Sequence, residues 1–132
     1  ASDHDTEVDE LLAAIPDVRG RLLALLDGIA AWSIQHRDYM AAYLTYRLSD
    51  PNWYAADERQ RSGFHRHLTR VLAAGRENGE LRDDLPLELS VAYLQSLQLT
   101  AILVWLRQPG IVLSDQLRQA ALLFLDGAGV RP

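Results

Sequence analysis

A chain of 132 residues, 48% apolar and 23% charged, suits one globular domain and is too apolar to remain disordered throughout. It contains no cysteine, which excludes disulfide frameworks, thiolate metal sites and cysteine nucleophiles. Its net charge of -5, with all 13 basic residues arginine, argues against a face that grips nucleic-acid phosphates.

The apolar pattern is helical nearly throughout, with no β-branched alternation and no hairpin turn between strand-like runs. Residues 1–7 read as a loose polar tail. A short helix is expected over 7–15, and Pro16 ends it or starts the next. A second helical stretch covers 17–48, with a bend or break near 36–38. Its stripe is Val18, Leu22, Leu25, Ile29, Trp32, His36, Met40 and Tyr43, in steps of three and four that keep one face. Residues 49–52 form a turn cluster, with Trp53 and Tyr54 in the loop beyond it. The third helix spans 57–78, its inner face carrying Phe64, Leu68, Val71 and Leu72, and Asn78-Gly79 closes it as a C-cap.

Pro86 and Glu88 open a fourth helix that runs to 107. Pro109-Gly110 breaks it, and Ser114 with Asp115 opens a fifth, ending at Asp126-Gly127. The apolar run 85–106 holds Glu88, Ser90, Gln95, Ser96, Gln98 and Thr100, too many polar groups for a membrane span of ~20 residues. The N-terminus lacks a basic-then-apolar signal pattern. The expectation is a soluble cytoplasmic protein with no membrane partner, folded as an all-α antiparallel bundle of five to six helices.

The last two helices are apolar on two sides. One stripe of 86–107 is Leu87, Val91, Leu94, Gln98, Ala101 and Trp105; a second is Leu89, Tyr93, Leu97, Thr100 and Val104. The final helix carries Leu117, Ala121 and Phe124 on one side, Leu122 and Leu125 on another. A helix apolar on two sides must be covered on two sides, and a second copy of the chain is the simplest cover. The expected product is a homodimer through the last two helices, with Tyr93, Leu97, Thr100, Val104, Leu117, Ala121 and Phe124 at the interface.

The phrase Gly75-Arg76-Glu77-Asn78-Gly79-Glu80-Leu81-Arg82-Asp83-Asp84-Leu85-Pro86 resembles the connector between the seventh and eighth helices of TetR-type transcriptional regulators. There a "G-x-L-R-x-D" phrase is followed by a proline or acid that opens the next helix. Val104-Trp105-Leu106 is similar to the family's frequent close of that helix, and Leu125-Asp126-Gly127 to the end of its last one. Upstream, Arg21 to Leu26 and His36-Arg37-Asp38 resemble the fifth helix and the break before the sixth. The resemblance covers roughly 17–127. It implies that 17–127 is a ligand-binding and dimerisation domain, with 1–16 a tail plus the remnant of a linker helix. The family's N-terminal helix-turn-helix of about fifty residues has no counterpart in this sequence, so DNA contact is implied only through a domain of a longer parent.

In that family the helices corresponding to 17–48, 57–78 and 86–107 enclose an effector cavity. The resemblance therefore points to Trp32, His36, Tyr39, Tyr43, Phe64, His67, Gln98 and Trp105 as pocket residues, although the same residues at helical spacing also suit a plain core. Gln98 is the most telling, because an amide on an apolar stripe costs free energy unless it finds a partner. Catalytic readings are weak. Ser33, His36 and Asp38 have the residue types of a triad without a nucleophile-elbow context. His65 and His67, two apart on a helix, point away from each other and do not share a metal. Asp83-Asp84 reads as solvated turn chemistry, and no phosphate loop or dinucleotide fingerprint occurs. The expectation is a non-enzymatic, cofactor-free domain of a transcriptional repressor that senses a small apolar or aromatic effector. A stand-alone helical interaction module without a ligand is the alternative, and a cofactor-free helical enzyme a more distant one.

Overall fold

Long stretches of leucine and alanine at helical spacing leave the backbone one economical way to satisfy its own hydrogen bonds, and the computed structural model follows it. Residues 2–50, 63–108 and 110–130 are described. Among them lie α1 (Ser2–Ala13), α2 (Val18–Gln35), α3 (Arg37–Ser49), α4 (Gly63–Glu77), α5 (Leu87–Arg107) and α6 (Leu113–Ala128). The architecture is the expected all-α one. The polar tail expected at 1–7 is instead helical from Ser2: Val8 and Leu12 pack against the core, and tertiary packing of this kind overrides weak local preference. The turn at 51–52, the loop aromatics Trp53 and Tyr54, and the first turns expected for the third helix at 57–62 lie outside the described residues.

The expected break near 36–38 falls at His36, which leaves the helical region (φ −125, ψ 42) while its N–H still donates to Trp32 O and Ser33 O. The break lets α3 turn onto α5. Arg37 secures it there by donating to Leu106 O at 2.8 Å and laying its guanidinium 4.5 Å from the centre of the Trp105 ring.

Gly79 ends α4 with φ 82, a left-handed conformation that glycine adopts at little cost. Glu80 N–H reaches Gly75 O at 2.9 Å and Gly79 N–H reaches Arg76 O at 3.3 Å, the paired bonds of a Schellman cap. The chain then pairs with the end of α6: Arg82 N–H donates to Ala128 O at 2.8 Å and Val130 N–H to Glu80 O at 3.2 Å. The Glu80 carboxylate also accepts from Val18 N–H at 3.0 Å, so it caps α2 together with Asp17, whose Oδ1 accepts from Gly20 N–H at 2.7 Å. One short connector thus fastens the ends of α2, α4 and α6. Gly75 is small for the same reason: a Cβ there would meet Leu81 Cδ1 at 2.8 Å and Val18 Cγ2 at 2.9 Å. On the surface of the connector Arg82 pairs with Asp84 and holds its carboxyl down at about 2, chiefly through their hydrogen bonds. The aspartates here are turn chemistry, as their sequence context suggests.

α2 packs on α4 and α6, and α5 on α4 and α6. Their shared core is built of fully buried aliphatics, among them Leu22, Leu26, Leu68, Leu72, Leu94, Ile102, Leu113 and Leu117. α5 is long and apolar enough to cross a membrane by length and composition, but here it is a packed core helix with Gln98 on its buried side.

The two sides of α5 and α6 separate as follows. Tyr93 and Thr100 are exposed, Leu97 and Val104 half-buried, and Leu89 and Leu123 stand outward. Leu117, Ala121 and Phe124 point inward and are buried in the subunit's own core. The stripe of α6 expected at an interface is therefore already covered by α2 and α5. Both sides of α6 carry large aliphatics, and spacing alone does not say which side faces the subunit's own core. The outward row of that helix runs through Ala120 and Leu123.

Candidate functional site

Enclosing an apolar volume requires helices that present large side chains from several directions without interdigitating fully. Five helices do so here, around a cavity of about 610 Å³, within the range of small-molecule sites. α2 contributes Ala24, Leu25, Gly28, Ile29 and Trp32; α3 contributes Tyr39, Met40, Tyr43 and Arg47; α4 contributes Gly63, Phe64 and His67; α5 contributes Gln95, Gln98 and Leu99. α1 supplies Val8, Leu11 and Leu12, spaced i, i+3 and i+4 on one side of the helix, and the turn after it supplies Ile15.

Of the eight residues expected at a pocket, the structure gathers Trp32, Tyr39, Tyr43, Phe64, His67 and Gln98 along this cavity. His36 and Trp105 stand elsewhere. His36 is exposed; its Nδ1–H donates to Trp32 O at 2.8 Å and its ring stacks on Trp32 with centres 4.2 Å apart. It sits at the helix break, where the stripe of α2 no longer continues into α3. Trp105 is 6% exposed and buried under Arg37 where α5 meets α3, two turns past Gln98. The wall contributed by α1 and the polar side chains Arg47 and Gln95 were not anticipated. The spacing of Val8, Leu11, Leu12 and Ile15 was the available signal for the first, and the position of Arg47 one turn beyond Tyr43 for the second.

The aromatic side chains form a continuous rim. Trp32 meets Tyr39 edge-on at 5.5 Å, Tyr39 stacks with Tyr43 at 6.1 Å, and the Arg47 guanidinium lies 5.8 Å from the Tyr43 ring. His67 is buried and does two things at once. It borders the cavity, and its Nδ1 lies 2.9 Å from Asp9 Oδ1 on α1. The other Asp9 oxygen accepts from Arg70 Nη1. A single carboxylate thus ties α1 to α4 beside the cavity wall. Among the described residues no group of three histidine or acidic side chains converges as a metal site. Nor is there a relay of Ser33, His36 and Asp38: Ser33 is fully buried with its Oγ unpartnered, and the His36 Nδ1 proton is engaged by a backbone carbonyl.

The described helices thus surround a largely apolar cavity of small-molecule size. No protein-family model matches the sequence, and the curated proteins contain no match to it. Among solved structures the chain is similar to FadR of Thermus thermophilus, a TetR-family transcriptional repressor crystallised in complex with lauroyl-CoA. The two are 27% identical with a TM-score of 0.73, over 99% of this chain and 68% of that one. That likeness, over nearly the whole chain, supports a TetR-type regulatory domain.

Proposed function

We propose that this domain is the effector-sensing and dimerisation part of a soluble, cytoplasmic transcriptional repressor. A small, largely apolar molecule binds in the cavity and changes the affinity of a helix-turn-helix head, in the longer protein, for its operator. The observation that carries the reading is the cavity itself: a large volume with apolar walls and a few polar groups, Gln98 and His67 among them. A domain that only displayed surfaces to protein partners would gain stability by filling it. The similar FadR structure holds lauroyl-CoA, which supports an effector with an alkyl body. The effector acts by binding one arrangement of the domain more tightly than another. A near-complete switch from bound to free operator requires about 5 kcal/mol of such difference.

Dimerisation in this reading uses the outward rows of α5 and α6. Leu89, Tyr93, Leu97, Thr100 and Val104 come from the first, Ala120 and Leu123 from the second. Tyr93 is 54% and Leu123 64% exposed in the single subunit, a large apolar surface to leave in water.

The test of effector binding is a thermal-shift screen of alkyl and aromatic compounds against the chain and its Gln98→Leu variant. Hits on the wild type that weaken in the variant, with the variant as stable as the wild type or more so, are expected. A screen without hits contradicts the reading, as do hits indifferent to the substitution together with an unchanged fold.

A further inference from the structure

The polar side chains of α5 are of two kinds. The hydroxyls of Ser96 and Thr100 turn back to carbonyls of their own helix, at 2.9 Å each. Gln98 does not. It is 7% exposed and lines the cavity, and its carboxamide makes no hydrogen bond among the described residues. The Ser33 hydroxyl is also unpartnered, but it is sealed in packed core; the Gln98 amide has the cavity beside it. Gln95, one turn earlier on the same side of α5, brings a second carboxamide to that wall. The polarity that α5 adds to the cavity is therefore that of neutral amides. The ionisable groups at the wall have neighbours within the protein: His67 faces Asp9 Oδ1 at 2.9 Å, and the Arg47 guanidinium lies against the Tyr43 ring.

A carboxamide holds an acceptor, Oε1, and a donor, Nε2, side by side in one plane. Enclosed by apolar walls, each costs free energy until it is answered. An ester or a ketone answers Nε2 and leaves Oε1 alone, and a hydrocarbon answers neither. A second amide with its N–H and C=O on one edge answers both. The ligand's N–H donates to Oε1 while Nε2–H donates to the ligand's carbonyl. Such a ligand also replaces both bonds of any solvent molecule that it displaces.

Resting on the effector-binding reading above, we infer that the effector is a neutral molecule that presents an amide edge to Gln98, an N–H beside a C=O on an otherwise apolar body. Primary amides, lactams and cyclic imides carry this edge. Gln98 is then the residue that sets specificity for it.

Calorimetric titration of the full chain with shape-matched compounds tests this. Carbostyril, coumarin and naphthalene share a two-ring outline and carry, in turn, the full amide edge, an acceptor without the donor, and no polar group. Octanamide and methyl heptyl ketone make the same comparison on an alkyl body, with a methyl group in place of the amide nitrogen. In whichever set binds, the amide should bind at least about tenfold more tightly than its acceptor-only partner, because a site built to pair a donor rejects the analogue that lacks it. Gln98→Leu should abolish that gap by weakening the amide, and should leave naphthalene binding no weaker than before. Equal affinity for amide and acceptor-only partner, or a gap that survives in Gln98→Leu, overturns the amide assignment and leaves the effector-binding reading intact. The wild-type comparison decides the matter even where the variant does not fold. Binding by none of these compounds overturns both readings.

Discussion

Ser33 is fully buried on α2, and its hydroxyl is the buried side-chain polar atom without a hydrogen-bond partner among the described residues. A buried donor left unmade costs roughly 1–3 kcal/mol, and alanine removes it with almost no change of volume. Ser33→Ala should therefore raise stability by about 1 kcal/mol in urea denaturation. A loss of similar size would mean that the hydroxyl is satisfied after all. The same scale shows what sequence can and cannot reveal about a site. Gln98 stood out because an amide on an aliphatic stripe is chemically conspicuous, and it borders the cavity. Trp105 lies on the same stripe and does not reach the cavity, since Arg37 and the start of α3 meet it instead. Spacing gives a residue's side of the helix, not which neighbour lies at that height.

Elements were legible where their ends carry distinctive chemistry. Asn78-Gly79 announces a cap and forms one, and Pro86 opens α5. The break at His36 involves neither glycine nor proline, and the apolar stripe runs on past it to Tyr43; the resemblance of His36-Arg37-Asp38 to the family's break before the sixth helix was its clue. α1 was the least legible element. Its role depends on a long-range clamp between Asp9 and the pair His67 and Arg70, nearly sixty residues away in sequence, which no local pattern encodes. That clamp makes a prediction. Asp9→Asn removes the charge that both partners share, so α1 should open more often while the core of α2, α4, α5 and α6 keeps its protection. Hydrogen exchange should show amides near Val8–Leu12 exchanging several-fold faster, with those of Leu68 and Ile102 unchanged. Uniform acceleration across all helices would show instead that α1 unfolds only with the whole domain.

For the molecule as a whole, the order of helices and the fold class were readable from the periodicity, and the pairing of surfaces was not. Leu117, Ala121 and Phe124 were expected to meet a partner and instead fill the subunit's own core. A paired comparison tests the proposed outward face. Leu117→Ala should destabilise the domain by about 2–5 kcal/mol, as large-to-small changes in a packed core do. Tyr93→Asp combined with Leu123→Asp should leave helical content intact and convert a dimer into a monomer in light scattering. A double variant that remains dimeric would place the interface elsewhere on the subunit.

If a ligand's apolar body occupies the space between α1, α2 and α5, isotope-filtered NMR on the chain with carbon-13-labelled dodecanoate will place it there. Nuclear Overhauser contacts are expected from the alkyl chain to the side chains of Leu12, Leu25, Ile29 and Leu99, all of which line the cavity. Contacts confined to outward residues such as Leu89 and Leu123, with none to those four, would contradict it.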